Sequence, residues 1–396
     1  MTPVQASATV DACLLTAPAP RPDTAGLYIH VPFCARLCPY CDFDTQDRDL
    51  QLISPYAVAL VREVDLLPAA RLHSVFFGGG TPSLLQPAQL AAVLDACRAR
   101  FALPPDCEIT VECNPNNVRA ARLDGYRAAG VNRLSLGVQA MDDAALKLLG
   151  RQHTVERVRQ AVATARATGF DDLSLDLMYG LPGQTLAAWE RTLDAALALA
   201  PEHLSCYLLT LEDWTPMGQQ VARGELALPD DDLVAAQYEL TRARLAAAGL
   251  RQYEISNCAR PGRESRHNLG YWRAEPYLAL GPGAVSSLGG RRRKQTPVVA
   301  DYLAAVAQGE HRFVEDERLD AATQAREALM LGLRLRAGVD LAAYRARFGR
   351  DVRDVCGAAL DELVVSGFLE WHAGRLRLAD RALLVSNEVL VRLGLA

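Results

Sequence analysis

The chain lacks any run approaching the ~20 uninterrupted apolar residues of a membrane-spanning helix, so it does not read as an integral membrane protein. It is also poor in cysteine for a disulfide scaffold, with 10 in 396 residues and no secretory pattern ahead of them. Residues 1–24 have neither a basic start nor a long apolar stretch and run out in Ala17-Pro18-Ala19-Pro20-Arg21-Pro22. We therefore expect a flexible tail there, and a cytoplasmic protein whose thiols stay reduced. A basic excess is missing as well. The 42 Lys and Arg against 47 Asp and Glu give a formal net charge of −5, which offers no general attraction to nucleic acid or anionic lipid. The run Arg291-Arg292-Arg293-Lys294 departs from this, and after Gly289-Gly290 it reads as a solvated loop. With 50% hydrophobic residues, the chain can bury one large domain and one or two smaller ones.

Against this thin background, three cysteines crowd into Cys34-Ala35-Arg36-Leu37-Cys38-Pro39-Tyr40-Cys41. Positions i, i+4 and i+7 share a helix face, so ordinary core packing is one explanation. Pro39 weakens it, because inside a helix proline removes a donor and clashes with the preceding turn; a loop wrapped around something fits better. A structural zinc site is a second explanation, but it closes with four ligands, and the nearby candidates are only His30, Asp42 and Asp44. The third, which the spacing favours, is a cubane iron–sulfur cluster. Such a cluster takes one thiolate per iron, so three would leave one iron open to a small molecule. The other cysteines from Cys97 to Cys356 read as packing residues.

From residue 26 to about 210, β-rich runs alternate with helical ones, the pattern of a parallel sheet covered by helices. Strands are expected at Gly26–His30, His73–Phe77, Glu108–Glu112, Arg133–Val138, Asp172–Met178 and His203–Leu209, with helices such as Pro55–Leu67, Pro87–Arg100 and Val155–Thr168 between them. Six such units make an α/β fold of partial (β/α)6 barrel type, two short of closure. Barrel enzymes gather their chemistry at the C-terminal strand ends, where this chain has the cysteine loop, Gly78-Gly79-Gly80-Thr81-Pro82, Glu112, Gln139 and Asp176. Residues 211–310 read as an extension of the barrel, with a helix over Asp231–Ala248 and a short strand at Gln252–Ile255. From about 311 to 396, two or three helices precede a hairpin at Phe368–His372 and Arg375–Leu378. That segment holds 13 Arg, 13 Asp plus Glu and no Lys, so it lacks the charge of a nucleic-acid binder. We read it as a lid or a protein-contact module.

Together, Tyr28-Ile-His-Val-Pro-Phe-Cys34, the cysteine spacing, Gly78–Pro82, Ser135-Leu-Gly-Val-Gln139 and Asp176-Leu-Met-Tyr-Gly-Leu-Pro-Gly-Gln184 resemble the radical SAM proteins related to oxygen-independent coproporphyrinogen III oxidase. The resemblance implies that Cys34, Cys38 and Cys41 hold a [4Fe–4S] cluster whose fourth iron is chelated by S-adenosylmethionine. It also implies that Tyr28, Tyr40, Gly79, Gly80, Thr81, Glu112, Gln139, Arg151 and Asp176 surround that cofactor, and that the C-terminal segment is a small, mainly helical, winged-helix-like domain.

Two branches of the family differ at positions visible here. The decarboxylating oxidases resemble Cys-x3-Cys-x2-Cys-x-Cys, but Phe43 stands at the fourth position in this chain. His267-Asn268-Leu-Gly-Tyr271-Trp272 instead resembles the His-Asn-x-x-Tyr-Trp motif of the HemW haem chaperones. Spacing alone favours a hydrogen-bonded turn with aromatics at a domain interface; the resemblance reverses that preference and makes His267 a candidate haem ligand, since a neutral imidazole binds haem iron. The expected function is then binding of haem and its delivery to an acceptor protein, with an electron donor needed if S-adenosylmethionine is cleaved. The alternative is a radical enzyme that decarboxylates the propionates of coproporphyrinogen III.

Overall fold

The computed structural model describes residues 24–395, so the tail expected over residues 1–24 lies, but for Thr24, outside them. Strands β1 (Ala25–Val31), β2 (Leu72–Gly79), β3 (Glu108–Cys113), β4 (Arg133–Gln139), β5 (Leu173–Tyr179) and β6 (His203–Leu208) lie side by side in chain order. All neighbours among them are parallel. Helices Ile53–Val64, Pro87–Arg100, Ala120–Ala128, Val155–Ala167 and Leu186–Leu197 return the chain between strands, as parallel pairing requires. Thr154 and Thr185 start the last two, each accepting a bond at 3.2 Å from the backbone N–H three residues on, which satisfies an otherwise orphaned donor.

Alternate residues of these strands face opposite ways, and the two faces differ in chemistry. Leu27, Ile29 and Val31 of β1, Leu134, Leu136 and Val138 of β4, and Leu173, Leu175 and Leu177 of β5 are buried in one core with helix residues such as Leu60, Val93 and Trp189. Each such side chain contributes about 2 kcal/mol by leaving water. The intervening residues are Thr110 and Glu112, Arg133 and Ser135, Ser174 and Asp176, and His203 and Ser205. Strands buried on both faces normally read as continuous apolar runs, and polar groups are costly to bury without partners. The inner face of this partial barrel therefore opens onto a cavity instead of closing as a second core.

Beyond residue 210 the sheet grows at both edges. Where one strand over 252–255 was expected there are two, β7 (Arg251–Gln252) and β8 (Asn257–Ala259): β8 pairs antiparallel with β6, and β7 antiparallel with β8 at the sheet edge. At the far edge β9 (Tyr277–Leu280) runs parallel to β1 and is followed by antiparallel β10 (Val285–Leu288), β11 (Arg291–Gln295) and β12 (Phe313–Arg318). The expected solvated loop at Arg291–Lys294 is corrected by this arrangement. Gly289 and Gly290, at φ of 59° and 73°, make the two-residue turn that suits a twisted hairpin, and the basic run becomes β11. Arg291 meets Asp316, Arg292 meets Glu317 and Glu327, and Lys294 reaches Asp44 at 3.4 Å. Asp316 and Glu317 across the strand pair, with Glu327 and Asp44 from outside the sheet, neutralise the run.

The C-terminal segment has helices Ala321–Leu333, Leu341–Phe348, Val352–Cys356 and Ala358–Val365 before a hairpin, Leu369–His372 with Arg375–Leu378, and helix Ser386–Arg392 after it. Four helices thus precede the hairpin where two or three were expected. Leu383, Leu384 and Asn387 from this segment line the mouth of the barrel cavity.

Candidate functional site

The cavity measures about 880 Å³ and is lined by the cysteine loop, the inner face of the strands and the C-terminal segment. The loop from Cys34 to Cys41 contains no helix, as Pro39 led us to expect. It is pinned from three sides: Cys34 N–H donates to Gln46 O at 2.8 Å, Gln46 N–H to Pro32 O at 2.8 Å, and Met217 N–H to Pro39 O at 2.8 Å. His30 braces it from beneath, with Nε2 2.8 Å from Asp44 O and Nδ1 3.0 Å from the Tyr28 hydroxyl.

The triple glycine locks against this loop. Gly80 N–H donates to Val31 O and Thr81 N–H to Phe33 O, each at 2.8 Å, while Thr81 Oγ1 lies 3.6 Å from Cys34 Sγ. Gly79 has a φ of 105°, and a Cβ there would come within 2.6 Å of the His30 ring. A left-handed backbone this close to a ring leaves room only for glycine.

Two carboxylates stand on the cavity floor. Glu112 accepts from Gly79 N–H at 3.2 Å; burial, helped by the charge of Asp176, pushes its carboxyl up to about 8. Asp176 accepts from Ser135 Oγ at 3.0 and 3.3 Å and from Ser174 Oγ at 3.4 Å. Burial raises it to about 6 against the pull of those hydroxyls and of Arg133 and Arg151. Arg151 donates to Gly137 O at 2.9 Å and lies 3.4 Å from Cys38 Sγ. Its buried Nε has no partner among the described residues. Gln139 ends β4 with a φ of 69°, unusual for a residue with a side chain, and is held by the Tyr207 hydroxyl donating to Oε1 at 2.6 Å. Tyr40 packs beside Leu149, Met178 and Met217 at the rim.

Cys34, Cys38, Cys41, Tyr40, Gly79, Gly80, Thr81, Glu112, Gln139, Arg151 and Asp176 therefore all meet at one cavity. Two expected residues do not. Tyr28 stands behind the wall, its ring stacked on Phe76 and His267 at centroid distances of 6.3 Å. His267 is buried, with Nδ1 2.9 Å from Ser74 Oγ and Nε2 2.9 Å from the Tyr271 hydroxyl. Both ring nitrogens are engaged, and burial lowers its pKa to about 3. As a haem ligand His267 would have to give up both bonds before iron could reach the ring. Its neighbour Asn268 lines the cavity instead.

The sequence reading missed Arg133, Ser174, His203 and Tyr207, which share the cavity wall. The signal was available: Arg133-Leu-Ser-Leu-Gly-Val-Gln139 and Leu173-Ser-Leu-Asp-Leu177 put a polar or small residue at every second place in strands expected to be buried.

The donor chemistry, three thiols on one loop at the cavity, fits a thiolate-held cluster. Among the described residues no group of three His, Cys, Asp or Glu is placed to hold a single metal ion. The three cluster-candidate cysteines are half-buried at the cavity, whereas Cys97, Cys107, Cys113, Cys206, Cys258 and Cys356 are buried. Burial raises the Cys34 and Cys41 thiols, so as they stand they are protonated and lose protons when a metal binds.

The sequence profile of the radical SAM superfamily matches residues 28–196, and that of the HemN C-terminal domain matches residues 319–385. The chain is 40% identical over 372 residues to the heme chaperone HemW of Mycobacterium tuberculosis, covering 92% of this chain and 93% of that protein. It is 36% identical over 367 residues to the heme chaperone HemW of Bacillus subtilis, covering 91% and 97%. With the mouse radical S-adenosyl methionine domain-containing protein 1, mitochondrial, identity is 38% over 394 residues, covering 94% and 89%. Coproporphyrinogen III oxidase (HemN) from Escherichia coli, a radical SAM enzyme, superposes with a TM-score of 0.80 at 23% identity over 96% of this chain and 92% of that one. That is a likeness of fold.

Proposed function

The chain belongs to the HemW family of the radical SAM superfamily, and from that membership we propose that it is a haem chaperone. It binds haem and hands it to an acceptor protein, with a [4Fe–4S] cluster on Cys34, Cys38 and Cys41 and S-adenosylmethionine at the iron those thiolates leave open. The observation that carries this is the 40% identity along 92% of the chain to a protein named a heme chaperone.

The cavity chemistry supports the cofactor part. When bound, the cluster and S-adenosylmethionine supply one-electron chemistry at a sulfonium centre. Glu112 and Asp176 can receive an ammonium group and ribose hydroxyls, and Glu112, largely protonated at neutral pH, gives up its proton as a cation arrives. Arg151, with its unpartnered Nε, can meet a carboxylate. Backbone groups of Gly79, Gly80 and Thr81 allow close approach, and Tyr40 keeps water from the thiol loop. A cytoplasmic location, an acceptor protein and no role for nucleic acid belong to the same proposal. No helix among the described residues is long and apolar enough to cross a membrane.

Decarboxylation of coproporphyrinogen III is the competing activity. Kinship in fold at 23% identity does not transfer it, and Phe43 occupies the place of the oxidases' fourth cysteine. The deciding experiment is anaerobic incubation of the cluster-reconstituted protein with coproporphyrinogen III, S-adenosylmethionine and a strong reductant, beside a competent oxidase. We expect no protoporphyrinogen IX; sustained product would replace the chaperone with an enzyme.

A further inference from the structure

One part of the cavity lining has no task in the cofactor chemistry above. It is formed by Asn268 and by Arg334, Leu383, Leu384 and Asn387 of the C-terminal segment. Arg334 follows the last turn of helix Ala321–Leu333 and donates to Asn387 Oδ1 at 2.8 Å. A guanidinium has five N–H donors, and this bond uses one while fixing the direction of the fork. Leu384, in the same lining as Arg334, is 39% exposed and supplies an apolar ledge to the cavity.

Asn268 owes its place to its neighbour. Glu108 accepts from the backbone N–H of Arg266 at 2.9 Å and of His267 at 3.2 Å, and Ser74 holds the His267 ring inward. The next residue along the helix then lines the cavity with an amide that can donate. Arg334 thus presents a cation at the cavity wall, where an anionic group is accommodated.

A steadied cation and an amide donor beside an exposed apolar ledge complement one chemical class: a flat apolar ring whose edge carries carboxylates. We propose that Arg334, steadied by Asn387, anchors a propionate of a tetrapyrrole at the C-terminal wall of the cavity, with Asn268 as a second donor. This rests on the haem reading and gives it a binding site that does not involve His267. It also gives the C-terminal segment a share in holding the ligand.

The test is a visible-absorbance titration of the cluster-reconstituted full chain with ferric haem and, separately, with its dimethyl ester, in which both propionates are capped. The unaltered chain should prefer haem to the ester. Arg334→Gln should weaken haem binding about tenfold, the worth of one charge-assisted hydrogen bond, leave the ester unchanged and so erase the preference; Arg334→Lys should restore part of it. Haem uptake that Arg334→Gln leaves intact overturns the anchor alone. Equal loss of haem and ester also overturns it, since Arg334 would then be only a strut for the C-terminal segment. No uptake of either probe by the unaltered chain overturns the haem reading and the anchor with it.

Discussion

His267 Nδ1 lies 2.9 Å from Ser74 Oγ although 193 residues separate them in the chain, and this bond ties the helix Arg266–Trp272 to the inner face of β2. The ring fills the gap left by Gly26, where a Cβ would approach it to 3.2 Å, and its Nε2 is bonded to Tyr271. His267→Ala should therefore destabilise the fold by about 3 kcal/mol, through the buried Ser74 hydroxyl and the half-buried Tyr271 hydroxyl left without this partner and a ring-sized void. Urea unfolding checks this. Undiminished stability combined with a lost haem spectrum would make His267 a ligand after all.

The same burial predicts a pH dependence. The His267 pKa falls from the ordinary 6.5 to about 3, so below 6.5 the unfolded chain takes up a proton that the folded ring refuses. Its contribution to stability is intact above about 6.5 and is lost as pH falls towards 3. His153, lowered by burial to about 4, acts with the same sign. Unfolding of the parent and of His267→Gln at pH 7 and pH 5 should show the variant losing less stability over that interval; parallel losses would contradict the assignment.

Glu112, raised to about 8 by burial and by Asp176, is mostly protonated at pH 7. Receiving a cationic ammonium should expel that proton. Calorimetry of S-adenosylmethionine binding in buffers of different ionisation enthalpy should detect release approaching one proton at pH 7 and almost none at pH 9. Glu112→Gln should abolish the release. Buffer-independent heats at pH 7 would remove Glu112 from the cation's path.

Gly80 is a steric prediction. A Cβ there would lie 2.8 Å from Phe33 O and 3.0 Å from Cys34 Sγ, against backbone that has no room to retreat. Gly80→Ala should cost about 2 kcal/mol and lower the iron content after reconstitution, whereas Gly183→Ala, which meets nothing within 4 Å and carries only the strain of its φ of 72°, should leave iron content unchanged. Equal iron in the two variants would show that the triple glycine does not shape the thiol loop.

The barrel strands were legible because each of the six joins an apolar register to a turn or helix signal, and the thiol loop because Pro39 interrupts any helix through the cysteines. The edges were not. β9 pairs with β1 across some 250 residues, a partnership fixed by topology and absent from local pattern, and β11 became a strand because acids on β12 neutralise its arginines. At His267 the i, i+4 spacing to Tyr271 put both on one face, but whether that face turned inward depended on Glu108 and Ser74, far away in the chain. Arg334 escaped notice for the same reason: nothing near it in sequence announces a shared cavity with Asn268 of the His-Asn-x-x-Tyr-Trp motif.

The most direct test of the chaperone account is a visible-absorbance titration of the full, cluster-reconstituted chain with haem in the presence of S-adenosylmethionine. The account predicts saturable uptake at one haem per chain, with a spectrum distinct from free haem and retained by His267→Gln if that variant folds. Spectra that track free haem at every ratio, from a protein whose cluster is intact, would contradict it.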